Sequence, residues 1–181
     1  FRELTIKDWE WVMGINLWGA VYMLHHFVPK MIDQRGGSIL ITASGAGLIG
    51  LPGMAPYCTS KFAMLGLAES LRGELYKYNI KVSVLCPGII NTNIIRDGKI
   101  MFANASGSSR QSLVDKFYQT FGVLPAVVAK QGISALRCDT GIKVSPRLQM
   151  WPVYFLKRLS PTVYQGISRL FFKYLVFRDS G

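Results

Sequence analysis

The sequence is short of acid. Ten Asp and Glu face 21 Lys and Arg in 181 residues, a formal charge of +11. Such an excess favours an anionic partner: nucleotide phosphate, nucleic acid or an acidic membrane surface. Cysteine is also scarce. Cys58, Cys86 and Cys138 are odd in number and widely spaced, which excludes a disulfide framework and points to a reducing, cytoplasmic setting. No cysteine pair has metal-ligand spacing. The two histidines, His25 and His26, are neighbours in a helical pattern, so their side chains diverge by about 100° and do not share a metal easily. No metal site is expected. No apolar run reaches the ~20 residues that span a bilayer, no signal peptide is visible, and there is no internal repeat. The chain opens on Phe1 rather than Met, and a piece of a longer protein is the expectation.

What is present is a well-stocked core. Half the residues are hydrophobic and 17% are charged, which excludes a disordered chain. Thr5 and Asp8 have the spacing of a helix-opening capping box. From there to about Asp33 apolar residues recur at helical spacing, from Trp9 and Val12 through Leu24 and Val28. Residues 38–44, SILITAS, suit a buried parallel strand. A glycine-rich loop leads to a second long helix over 55–78, and KVSVLCPG (81–88) reads as another buried strand. Strand, helix and strand in this order imply a βαβ unit and a parallel sheet. A helix over 125–138 and a short strand over 143–145 extend it. Residues 89–122 read as irregular.

Gly45, Gly47 and Gly50 spell G-x-G-x-x-G after a strand, with Glu69 about twenty residues on, the form of a dinucleotide-binding fingerprint. The physics disagrees. That fingerprint needs a helix to begin within the glycines, so that its amides face a pyrophosphate. Here Pro52-Gly53 breaks the chain, and Glu69 falls in mid-helix. A loop turning sharply after a strand is the better reading.

The chemistry gathers elsewhere. Ligands of open parallel sheets bind outside the carboxyl ends of the strands, where Ser44 closes the first strand. Thirteen residues later, Tyr57 and Lys61 stand one turn apart on one helix face. Asn16 lies within INLWG, where Gly14 and Gly19 permit a local irregularity. Pro87-Gly88, followed by Thr92, closes the second strand at the same rim.

Asn16, Ser44, Tyr57 and Lys61, with PGIINT at 87–92, resemble the catalytic part of the short-chain dehydrogenase/reductase family over roughly residues 1–146. The resemblance implies an α/β fold: the second half of a Rossmann-type, doubly wound parallel sheet, followed by a C-terminal helical extension. It implies hydride transfer between an alcohol and a carbonyl with NAD or NADP. Tyr57 is then the general acid/base, and Lys61 lowers its pKa and holds the nicotinamide ribose. Ser44 donates to the substrate oxygen, and Asn16 orders a water beside Lys61. Pro87, Gly88 and Thr92 pass the nicotinamide end of the cofactor. The family's opening strand and phosphate loop do not precede Phe1, so the segment alone is expected to bind cofactor weakly or not at all. The two long helices resemble those that pair subunits, hence an expected homo-oligomer. Ile94, Ile95, Met101, Phe102, Phe117 and Phe121 fill the expected lid and suggest an apolar small molecule, although they serve equally as core.

Residues 147–181 carry six basic residues against one acidic residue. Ser160-Pro161 is a good helix start. Val163, Tyr164, Ile167, Leu170, Phe171 and Tyr174 form an apolar stripe opposite Gln165, Arg169 and Lys173. Such a helix suits a membrane interface, or equally a cover over the substrate cleft or a second subunit. A non-catalytic membrane-surface protein on the same fold is the rival reading. The cations form no groove with aromatics outside this tail, so nucleic acid is not an expected partner.

Overall fold

The computed structural model describes residues 1, 4–92, 116 and 118–175, with side chains as far as residue 170. Three parallel strands, β1 (Gly37–Thr42), β2 (Ile80–Pro87) and β3 (Ile142–Ser145), lie side by side in that order. Ile41 pairs with Val84, and Cys86 with Val144. The strands are apolar on both faces because helices cover both. Ile41, Val82, Val84, Cys86 and Val144 pack against Met64 and Ala68 of α3 (Ala55–Leu75). On the other face α4 (Pro125–Cys138) approaches closely enough that a Cβ on Gly132 would meet Leu40 and Leu85. Ser83, buried on that face, donates its hydroxyl to the Ala135 carbonyl at 3.1 Å, as a buried polar group requires.

The first helical pattern is three elements, not one. α1 (Ile6–Met13) opens on the expected capping box: Thr5 N–H donates to Asp8 Oδ2 at 2.8 Å, and Asp8 N–H to Thr5 Oγ1 at 3.2 Å. A π-helical turn occupies Gly14–Trp18, and α2 (Gly19–Asp33) follows. The irregularity falls where Gly14 and Gly19 bracket Asn16, and such turns concentrate at functional sites. Leu17, Ala20, Leu24 and Val28 pack on the same core as α3.

The end of the chain holds a helix that the sequence pattern did not announce. α5 (Arg147–Leu159) precedes α6 (Pro161–Leu175). Met150, Trp151 and the buried Tyr154 of α5 join the main core, while Ser160-Pro161 opens α6 as expected. The expected lid residues Ile94, Ile95, Met101, Phe102 and Phe117 lie outside the described residues, as do Val176 and the side chains of Phe171, Phe172, Lys173 and Tyr174. Phe121 is exposed.

Candidate active site

β1 ends at Thr42, two residues before Ser44, but the ladder continues one step: Ala43 N–H donates to the Leu85 carbonyl at 2.8 Å. Ser44 then turns the chain, its Oγ accepting from Ala46 N–H at 3.1 Å. A short 3₁₀ turn over Gly45–Gly47 follows. Its glycines serve packing rather than phosphate. A Cβ on Gly47 would sit 2.6 Å from the Lys61 carbonyl oxygen, and one on Gly45 would strike Met150. The absence of side chains lets the loop lie directly on the α3 backbone and on α5.

That close approach brings Ser44 to Tyr57. The Ser44 side chain faces the Tyr57 phenol closely enough to favour its charged form, and Lys61 Nζ stands 5.7 Å from the Tyr57 ring centroid. Lys61 Nζ donates to the Thr42 carbonyl at 3.3 Å. Asn16 enters from the π turn: its Nδ2 donates to Ser60 Oγ at 3.1 Å, and Ser60 donates to the Tyr57 carbonyl at 2.7 Å. Asn16 therefore grips the first turn of α3 through a fully buried serine. Pro87 is buried, and Gly88 N–H donates to Ser145 O at 2.6 Å. Thr92 is exposed.

The electrostatics differ from the expectation in one respect. Burial pushes the Tyr57 phenol above its ordinary value, and the neighbouring Ser44 side chain only partly offsets it. Burial also pushes the Lys61 ammonium down. Desolvation depends on tertiary packing, which a helical spacing does not encode. The fully buried Cys86 thiol, beside Ser44 and Lys61, rises to about 12 for the same reason.

Two residues of this neighbourhood carried no signal in the sequence. Tyr118 is raised by burial, with the neighbouring Tyr57 adding to it. Gln149 of α5 accepts from Ile89 N–H at 3.3 Å and donates to the Phe121 carbonyl at 2.9 Å. It ties the Pro87-Gly88 turn to the returning chain, beside the parallel bridge of Ile90 with Val123. Both are contacts between distant stretches, with no fixed spacing to betray them.

For a nicotinamide cofactor the fit is one-ended. The Ile89 amide already satisfies a carboxamide oxygen, that of Gln149, and Lys61 keeps two ammonium donors beyond Thr42 O. Gly45 and Gly47 of the glycine loop are closed against Met150 and the Lys61 backbone, which leaves them no room for a pyrophosphate. Among them, too, no cluster of His, Cys, Asp and Glu could hold a metal ion, and no helix is long and apolar enough to cross a membrane.

A parallel sheet covered on both faces, with a serine, tyrosine and lysine gathered at its carboxyl rim, defines a Rossmann-type α/β protein. The family model for short chain dehydrogenase matches residues 1–99, and the chain belongs to that family. It is 43% identical over 95 residues to a CLA biosynthesis dehydrogenase/reductase of Lactiplantibacillus plantarum, covering 51% of this chain and 33% of that protein. It is 44% identical over 89 residues to a 3-ketodihydrosphingosine reductase of Dictyostelium discoideum, covering 48% and 27%. The matched stretch thus spans about a third of these relatives. Among solved structures, a short chain dehydrogenase/reductase from Burkholderia phymatum in complex with NAD superposes with a TM-score of 0.73 at 27% identity, over 87% of this chain and 60% of that one.

Proposed function

We propose that the chain carries the catalytic part of an NAD(P)-dependent oxidoreductase that moves hydride between an alcohol and a carbonyl. The observation that carries this reading is the meeting of Ser44 and Lys61 at the Tyr57 side chain, on a chain of this family. The NAD bound to the Burkholderia phymatum relative supports NAD or NADP as cofactor. When bound, the nicotinamide supplies or accepts the hydride.

The chain's own residues manage the proton. In reduction the Tyr57 O–H protonates the substrate oxygen as negative charge develops there; in oxidation the phenolate takes that proton back. Ser44 Oγ–H donates to the same oxygen. Lys61 holds the nicotinamide ribose through its remaining donors, and its charge opposes the upward push of burial on Tyr57. Asn16 fixes the first turn of α3 through Ser60 and keeps a water beside Lys61. Pro87, Gly88 and Thr92 flank the nicotinamide end. A relative named for 3-ketodihydrosphingosine, an aliphatic ketone, supports an apolar small-molecule substrate.

Two surfaces extend the proposal. Trp11, Ile15, Trp18, Tyr22 and Phe27 are exposed from α1 through the π turn to α2, which supports a homo-oligomer paired through these helices. Val163, Ile167 and Leu170 are exposed on α6, which supports attachment of residues 147–181 to a membrane surface.

In the complete protein, Tyr57→Phe should lower the rate of NAD(P)H-dependent reduction of apolar ketones by roughly 10²–10⁴-fold with the thermal midpoint unchanged. An undiminished rate would refute the assignment.

A further inference from the structure

A cleft of about 560 Å³ lies between the start of α3 and the helices α5 and α6, a size typical of small-molecule sites, roughly 300–1,000 Å³. It has no part in the chemistry proposed above. Ala55, Cys58, Thr59 and Phe62 line it, on a different face of α3 from Tyr57 and Lys61. Leu51 and Pro52 complete an apolar floor, and Lys157 and Arg169 stand at its rim. Not one carboxylate is among its lining residues.

Both cations have capacity to spare. Lys157 Nζ donates to the Leu48 carbonyl at 2.7 Å and lies 4.3 Å from the Phe62 ring centroid, leaving two ammonium donors. Burial and the adjacent Arg158 push Lys157 below its ordinary value, so an anion beside it would relieve a strained charge. Arg169 is exposed and has no ion-pair or hydrogen-bond partner among the described residues. The walls are tied together: besides the Lys157 contact, Tyr164 Oη donates to the Gly50 carbonyl at 3.0 Å. The cleft is therefore built before any ligand arrives.

We infer that this cleft binds one molecule of a single-chain anionic amphiphile, such as a medium-chain carboxylate. Its chain lies along Leu51, Ala55 and Phe62, and its head is held by Lys157 and Arg169. Apolar walls with a few convergent charged groups are the usual make-up of such sites, and a charge-assisted contact to Arg fixes the head. A cationic amphiphile of equal length meets the same floor but is repelled at the rim.

The test is calorimetric titration of the full chain with laurate below its micellar concentration, with dodecylamine and anionic phosphatidylserine vesicles as comparators. The expected result is saturable one-to-one binding of laurate, with dodecylamine at least about 10-fold weaker, the loss of one favourable charge contact and gain of a repulsive one. Arg169→Glu should weaken laurate roughly 5-fold or more with the circular dichroism spectrum and thermal midpoint unchanged. Thr59→Trp, which fills the cleft from an exposed position on α3, should weaken it as well. Equal affinity for laurate and dodecylamine, binding unmoved by both variants, or binding to vesicles without saturable laurate uptake would overturn the proposal. No cofactor or turnover enters the readout, so its failure is separate from failure of the hydride-transfer reading.

Discussion

From β1 to β2 the chain hides its apolar residues, whereas from α5 to α6 it displays many of them. In the first region Ile41, Val82, Val84 and Cys86 are buried, and Ser44, Ser60 and Asn16 all have hydrogen-bond partners. In the second, Tyr154 is anchored in the core while Leu148, Phe155, Leu159 and Val163 face outward on helices that carry Arg147, Lys157, Arg158 and Arg169. Packing alone explains the first region. The second keeps apolar surface and positive charge side by side, an arrangement that stability does not require and that a partner would use.

The largest expected effect beyond Tyr57→Phe is on Lys61. In the complete protein, Lys61→Met should reduce turnover by about 100-fold and move the acid limb of the oxidation pH profile upward, because the phenol loses the charge that opposes its burial. Stability should move the other way. Burial depresses Lys61 in the folded state, so the fold disfavours the ammonium: its contribution is regained above the ordinary lysine range and lost as pH falls through the folded value. At neutral pH Lys61→Met should therefore be no less stable in chemical denaturation. A less stable variant would mean that Lys61 belongs to the packing region rather than to the chemistry.

Gly47→Ala comes next. Its Cβ would lie 2.6 Å from the Lys61 carbonyl, an overpacking cost of about 1–3 kcal/mol, read as a fall in thermal midpoint accompanied by lost turnover. An unaffected protein would show that the loop and α3 can separate freely.

Alkali gives a smaller effect. Burial pushes the Cys86 thiol up to about 12, so the neutral thiol stabilises the fold fully below the ordinary thiol range and that contribution is lost as pH rises through the folded value. Cys86→Ala should flatten the fall in stability between these limits. An unchanged slope would assign the loss to the buried phenols Tyr57 and Tyr118, which are raised in the same direction.

The smallest effect sharpens the contrast between regions. Leu159→Ser, at 83% exposure, should change stability by no more than about 0.5 kcal/mol while lowering binding to anionic vesicles. A markedly destabilised variant would make α5 an ordinary part of the core.

The sheet and α3 were legible because short apolar runs suit strands covered on both faces and a period of 3.6 marks one helix face, while the Ser44–Tyr57–Lys61 grouping followed from the strand end, the one-turn spacing and the family resemblance. The irregular turn at Asn16 was legible from its two glycines. Helix α5 was not. Pro146 offers it no side-chain cap, and Pro152 lies within it, so the local signals read as breaks while tertiary contacts of Met150, Trp151 and Tyr154 hold it. Tyr118 and Gln149 escaped because their partners are remote in the chain. The direction of the Tyr57 shift escaped because desolvation is a property of the assembled fold.

The π turn at Gly14–Trp18 makes the length of this stretch a coded quantity. Deleting one codon there would remove the extra residue that the wide turn accommodates, joining α1 to α2 in ordinary winding and withdrawing Asn16 from its bond to Ser60.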